Sequence, residues 1–403
     1  MPEAPEESRV VPNGPLTPPE RGFPESEFEE RVVRFQRRMA QVRCDAVILT
    51  TEAEIRYFSG FLTQFWQSPT RPWFLVVPVA GKPISVIPEI GESGMAGTWI
   101  DDIRTWPSPC PEDDGISLLA ATLEALPRRH GRTGMCLGPE SMLRMPAHAF
   151  SQLQDRIGGE LVDVAGVLQR QRMVKSPREI EKIRFICRLA GEAFANVPGH
   201  ARVGQTEREI CRAMQHDLLG LGADSCSYLV AGSGPGGYDS IIMGPSDRRI
   251  DPGDVLIIDT GSTWDGYFCD FDRNWAFGAA DSATRDAYRV VWQATGAGFA
   301  SARPGATTSD IWHAMQAVMA AGGSLGNEVG RLGHGLGMEL TEPPSNTPDD
   351  GTVLEAGMVL TLEPGMVFAP GREMVHEENI VITADGAEWL TPRAAEELPV
   401  IAG

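Results

Sequence analysis

The chain has 403 residues, 42% hydrophobic and 22% charged, the balance of an ordinary globular protein with room for two or three domains. Its 55 acidic residues against 35 basic ones leave a net charge of −20, and no basic block offsets it, which argues against a nucleic-acid partner because phosphate binding needs clustered Lys and Arg. No apolar run approaches ~18 residues, so no membrane span is expected, and the acidic, proline-rich start lacks the pattern of a secretory signal, so a cytoplasmic location is expected.

Residues 1–25 hold seven prolines and little apolar content, predicting a loose arm. Phe28, Val32, Phe35 and Met39 recur every three or four residues. They predict a helix over 26–42 with Ser26 as N-cap. Short apolar runs at 45–50, 73–78 and 82–87 predict buried strands. Helices alternating with such strands predict an α/β layer domain over 26–170. A second domain, 171–403, is expected to open on a long helix through Ile180, Ile183, Ile186 and Ala190. Ser176 is its predicted N-cap, Pro177 its first helical residue, and Glu179 completes a capping box. Helical patterns at 206–219, 281–301 and 308–321 then alternate with strand patterns at 254–259, 266–277, 358–363 and 374–383. This mixture predicts an α+β domain, its helices covering one face of an antiparallel sheet. The seven cysteines, at 44, 110, 136, 187, 211, 226 and 269, form no C-x-x-C pair and are expected to be reduced thiols.

Five residues in the second domain carry the chemistry: Asp259, Asp270, His334, Glu363 and Glu377. Asp259 closes the apolar run 255–258, and a turn at Asp265 and Gly266 returns the chain to Asp270, giving a hairpin with both side chains on one face. A carboxylate flanked by apolar residues is costly to bury without a cation or strong donors. His334 lies between Gly333 and Gly335, which permit close backbone approach. Glu363 ends a strand before Pro364 and Gly365. Glu377 faces away from His376 and Glu378 by period-two alternation. Four carboxylates and one imidazole suit hard or borderline divalent ions. They exceed what one zinc ion takes and match two metals ~3.5–4 Å apart. The set therefore predicts a metal-dependent hydrolase with two divalent ions: Mn, Co, Zn or Fe.

The order Asp, Asp, His, Glu, Glu, with Asp259-Thr-Gly, Asp270-Phe-Asp-Arg273, Gly333-His334-Gly and Leu362-Glu363-Pro-Gly365, resembles the M24 metallopeptidases, the pita-bread proteins. Residues 54–61 resemble the N-terminal domain of the creatinase and prolidase branch. The resemblance implies a creatinase-like α/β N-terminal domain and an α+β pita-bread catalytic domain. It implies Asp259 on one metal, His334 and Glu363 on the other, and Asp270 and Glu377 bridging. Glu363 and His334 are then the candidate catalytic residues, Glu363 taking a proton from a metal-activated water. It implies hydrolysis of a small amide or Xaa-Pro peptide by a homodimer, with no membrane partner. The sequence departs from the family at Ile242 and Thr341, where histidines that handle the peptide are usual. Tyr238, Glu339, Glu342 and His376 are candidates to replace them. Trp66 and Arg71 are candidate substrate contacts, or core filling in the case of Trp66. Asp272, where a small hydroxyl residue is usual, is either an acceptor for Arg273 or an exposed carboxylate. The departures leave two alternatives: a non-peptide relative acting on a small zwitterionic metabolite, as a C–N hydrolase or a dimethylsulfoniopropionate-type lyase, and a non-catalytic binding module.

Overall fold

The structure is a computed structural model that describes residues 16–326 and 330–402. Most of the predicted N-terminal arm lies outside the described residues. The chain divides into two compact units, residues 20–172 and 173–403 with the N-terminal stretch.

The first unit begins with α1 (Glu25–Gln41), whose Phe28, Val32, Phe35 and Met39 are buried as the periodicity requires. The helix starts one residue earlier than predicted, and its N-cap is Pro24, not Ser26. Then follow β1 (Ala46–Leu49), α2 (Glu52–Ser59), β2 (Phe74–Pro78), β3 (Ile84–Pro88), α3 (Glu92–Met95), β4 (Asp102–Trp106), α4 (Ile116–Glu124), β5 (Arg132–Met135), α5 (Ala147–Arg156), β6 (Glu160–Asp163) and α6 (Ala165–Met173). The six strands form one mixed sheet in the order β4-β3-β2-β1-β5-β6. The central strands are buried at every position, which is why they read as continuous apolar runs. Ile48, Phe74, Val76 and Val86 share one core with Ile116, Leu119 and Leu153 from α4 and α5.

The second unit opens on α7 (Pro177–His200), with Ser176 as N-cap and Glu179 closing the capping box. Next come α8 (Glu207–Leu221), β7 (Ser225–Pro235), β8 (Asp254–Trp264), β9 (Tyr267–Phe268), β10 (Phe271–Phe277), α9 (Ser282–Ser301) and α10 (Thr308–Ala321). The chain continues with β11 (His334–Gly335), β12 (Glu342–Ser345), β13 (Val359–Leu362), β14 (Gly365–Ala369), β15 (Arg372–Val375), β16 (Glu378–Ile382), β17 (Ala387–Trp389) and β18 (Val400–Ile401). The single sheet predicted from the sequence is in fact two larger sheets, β18-β10-β8-β7 with β9 on β8, and β12-β11-β13-β16-β17, plus the β14-β15 hairpin. Helices α7 and α8 pack on β8 and β7, while α9 and α10 pair with each other and α9 lies on β13, β14 and β15. One core joins Val255 and Ile257 of the first sheet to Leu360, Leu362 and Ile380 of the second, with Val291, Ala294, Ile311 and Met315 from α9 and α10. The strands facing this core are those that carry the five acid and imidazole side chains or end beside them.

Candidate metal centre

Strand β8 does not end at Asp259; it runs on to Trp264. Asp259 is therefore mid-strand, and its neighbours Thr260 and Ser262 are buried because they bond each other at 3.1 Å. The turn at Asp265 and Gly266, with φ of 48° and 81°, has the two left-handed residues that a tight hairpin requires. Lys182 pairs with Asp265 at 2.6 Å and anchors that turn to α7. The returning strand sets Asp272, not Asp270, directly across from Asp259.

Asp270 sits in a break between β9 and β10, where the predicted continuous strand 266–277 is interrupted. A break leaves backbone groups in need of partners. Asn379 supplies them: its side-chain oxygen accepts from the Asp270 N–H at 3.0 Å, and its amide donates to the Asp270 carbonyl. The same oxygen accepts from the Cys187 thiol at 3.3 Å. Glu377 occupies the matching break between β15 and β16. Its neighbours turn the other way, as alternation predicts. The His376 ring meets Thr295 Oγ1 at 3.1 Å, and Glu378 takes Arg273 at 3.0 Å.

His334 is held from both sides of its own backbone. Its N–H donates to Thr361 Oγ1 at 3.0 Å, and ring Nδ1 lies 2.9 Å from the Gly335 carbonyl. A proton on Nδ1 satisfies that carbonyl and leaves Nε2 as the bare nitrogen. Nε2 points at Asp270 Oδ2, 3.4 Å away. Gly333 is required here: at φ +118° its Cβ would fall 2.2 Å from the Thr361 carbonyl.

Asp270, His334 and Glu377 bring one ligand atom each to within 4.8 Å of one another, and all three are buried. Asp259 and Glu363 stand outside that closest trio and are half-buried as residues. Burial pushes the Asp259 carboxyl up to about 7, against an opposing pull from the Tyr228 hydroxyl. Burial and the charge of Asp259 push Glu363 up to about 8. Asp270 and Glu377 are raised well above the carboxylate range by burial and by the other acids. Burial and Arg331 lower His334 to about 4, keeping the ring neutral near pH 7. Three buried oxygens, Asp259 Oδ1, Asp270 Oδ1 and Glu377 Oε1, have no hydrogen-bond partner. Converging acids with unsatisfied oxygens and a neutral imidazole nitrogen fit divalent cations, which would satisfy the orphans and cancel the repulsion.

The remaining candidates lie as follows. Tyr238 is fully buried, donating to Asn274 Oδ1 at 3.0 Å and accepting from the Val375 N–H at 2.8 Å, so its hydroxyl is committed to structure. Glu342 pairs with Lys175 at 3.2 Å and also accepts from the Glu339 N–H. His376 is 1% exposed. Ile242 is 76% exposed, and Thr341 is also exposed. Trp66 and Arg71 belong to the first unit. Trp66 packs against Phe61 and Trp73 under the Arg144 guanidinium, and Arg71 donates to Ser108 Oγ at 2.7 Å. Neither reading of Asp272 survives. It is 1% exposed, and Arg273 takes its backbone carbonyl at 2.6 Å rather than its carboxylate. Asp272 instead receives Asn274 Nδ2 at 3.3 Å and leaves Oδ2 unpartnered. Sequence reasoning missed Asn379, Thr361, Tyr228 and Arg331. The one available signal was Asn379, the polar residue that follows Glu378 at the start of the otherwise apolar strand β16.

Comparison with known proteins identifies the family. The family model for metallopeptidase family M24 matches residues 181–384, and that for the creatinase/prolidase N-terminal domain matches residues 31–174. The chain belongs to metallopeptidase family M24, and its first unit is of the creatinase/prolidase N-terminal type. It is 30% identical over 354 residues to a probable dipeptidase PepE of Mycobacterium tuberculosis, covering 85% of this chain and 88% of the relative. It is 30% identical over 265 residues to an Xaa-Pro dipeptidase of Pyrococcus horikoshii, covering 64% of this chain and 74% of the relative. The crystal structure of dipeptidase PepE from Mycobacterium ulcerans superposes with a TM-score of 0.82 at 26% identity, covering 94% of this chain and all of that one. The predicted family, the pita-bread architecture and the metallopeptidase class all hold. No helix among the described residues is long and apolar enough to cross a membrane.

Proposed function

We propose that this chain is a dipeptidase of the Xaa-Pro type that hydrolyses its substrate at two divalent ions (Mn, Co, Zn or Fe) held by Asp259, Asp270, His334, Glu363 and Glu377. The observation that carries the reading is the set of unpartnered, buried carboxylate oxygens converging on a bare imidazole nitrogen. Asp259 would serve one ion, His334 and Glu363 the other, and Asp270 and Glu377 both. Bound ions of this kind make water acidic enough to attack near neutral pH and polarise the carbonyl under attack. The chain's own part is to hold the ligands and to move protons. Asn379 fixes the Asp270 backbone, and Thr361 and Gly335 fix the imidazole. Glu363 takes the proton of the attacking water. The reading extends to a cytoplasmic homodimer with domain boundaries near 25 and 170.

The test is release of free amino acid from a panel of Xaa-Pro dipeptides. Activity disappears on chelation and returns with Mn²⁺ or Co²⁺. A fully metal-loaded protein that cleaves no member of the panel ends the peptidase reading. One observation favours a second reading, a small zwitterionic metabolite as substrate: the exposed Ile242 and Thr341 place no imidazole where peptide-handling histidines are usual. Turnover in a screen of such metabolites, without prolyl dipeptide cleavage, selects it. The binding-module alternative is disfavoured by retention of all five candidate ligands.

A further inference from the structure

A thiol and an amide meet at the strand break that carries Asp270. The Cys269 N–H still donates to the Ser262 carbonyl at 3.0 Å, and Phe271 pairs with Thr260. Asp270 falls between these two rungs, and its peptide groups turn to the Asn379 side chain instead. Asn379 stands in β16 opposite Thr361 of β13, and Thr361 is the residue that takes the His334 N–H. Two positions along from that pair, at the same end of it, stand Glu363 and Glu377. A single cross-strand pair therefore grips two candidate ligands and leads into two more.

The backbone of Asn379 is fully engaged. Its N–H donates to Thr391 Oγ1 at 3.2 Å, and its carbonyl accepts from the Leu390 N–H at 2.9 Å. What is left to fix is the plane of its side-chain amide. Cys187 lies on the buried face of α7 with Ile183, Ile186 and Ala190, and its S–H donates to Asn379 Oδ1 at 3.3 Å. An amide oxygen has two lone pairs; the Asp270 N–H takes one and the thiol takes the other. Turning the amide over would set donor against donor at both contacts, in a place closed to water, since Cys187 and Asn379 are both 0% exposed. Unmade hydrogen bonds are costly there. We propose that Cys187 is a positioning residue for the metal centre. Its thiol locks the Asn379 amide, and the amide holds the Asp270 backbone where the carboxylate meets His334 and Glu377. This rests on the two-ion reading above.

The test is a calorimetric titration of metal-free protein with Mn²⁺, in wild type, Cys187→Ala, Cys187→Ser, Asn379→Ala and the Cys187→Ala/Asn379→Ala double variant. Cys187→Ala removes the donor and weakens Mn²⁺ binding about tenfold, the scale of a lost outer partner of a ligand. Cys187→Ser keeps a donor and stays within about threefold of wild type. In the Asn379→Ala background Cys187→Ala adds no further loss, because the thiol acts only through that amide. A second arm follows hydrogen exchange of the metal-free protein in peptides spanning 266–274. The Asp270 amide exchanges about tenfold faster in Cys187→Ala and near the wild-type rate in Cys187→Ser. Unchanged Mn²⁺ affinity in Cys187→Ala, an equal loss in the alanine and serine variants, or a loss that adds in full to that of Asn379→Ala overturns the proposal and leaves Cys187 as packing. If Asn379→Ala does not fold, the alanine and serine comparison decides alone. Wild type that takes up no Mn²⁺ ends the two-ion reading instead. The exchange arm, run without metal, then still upholds or overturns the hold of Cys187 on Asp270.

Discussion

Asp272 shows how a single carboxylate can burden a site. It faces Asp259 across the β8–β10 pair and is buried to 1%. Burial, then Asp259, raise its pKa well above the ordinary range, with Glu378 and Glu363 adding to the push and Arg273 opposing it. Asn274 steadies one oxygen, and Tyr238 steadies Asn274. Without bound ions, this fifth acid adds repulsion and an orphaned oxygen, which costs about 1–3 kcal/mol when left unsatisfied. With ions it deepens the negative field that attracts them. Asp272→Asn should therefore raise the thermal midpoint of chelator-treated protein while weakening metal binding about tenfold. Melting curves with and without chelator, together with a metal titration, check both halves. A midpoint that falls in the chelated variant removes the electrostatic account of this residue.

At the scale of elements, the turn at Asp265 and Gly266 decides which β8 residue faces which β10 residue. Gly266 sits at φ +81°, where a Cβ costs roughly 1–2 kcal/mol. Gly266→Ala should lower the unfolding free energy by about that amount, read as a lower denaturation midpoint at unchanged slope. Metal stoichiometry should stay at the wild-type value, because the ladder beyond the turn keeps the register. An unchanged midpoint would show that the turn is not strained as argued. Local signals of this sort were legible from the sequence. The cap at Ser176, Pro177 and Glu179 lies within four consecutive residues, and the turn within two. The strand breaks at Asp270 and Glu377 were not legible, because period-two patterning carries no mark for lost pairing. The break at Asp270 depends on Asn379, 109 positions away. Asp259 read as a strand end because the apolar run stops at Ile258. The strand continues through hydroxyl residues that satisfy one another, a fact of pairing and not of hydropathy. The four acids and one imidazole of the candidate centre were identifiable by residue type and order. Arg331 and Asp272 were not, since an arginine or aspartate in isolation reads as surface.

For the whole molecule, the consequence is a linkage between protons, ions and stability. In the ion-free protein Asp259 and Glu363 hold their protons up to about 7 and about 8, far above the range of an unfolded chain. The folded state then binds more protons than the unfolded state between roughly pH 4 and 8, so stability falls as pH rises through that window. Asp270 and Glu377, shifted in the same direction, extend the loss upward. His334 works the other way. Lowered to about 4, it favours the folded state increasingly from pH 4 to about 6.5 and contributes no slope above that. Four carboxylates outweigh one imidazole, so the metal-free thermal midpoint should drop from pH 6 to pH 8. Divalent ions replace those protons and remove the repulsion, so the metal-loaded midpoint should be nearly flat over the same range. The gap between the two states therefore widens with pH. Metal binding near pH 7 should also release protons, seen as a dependence of the calorimetric heat on the ionisation enthalpy of the buffer. A gap that stays constant from pH 6 to 8, with no proton release, would mean that the acids already have partners, and the centre would lose its claim to bind metal.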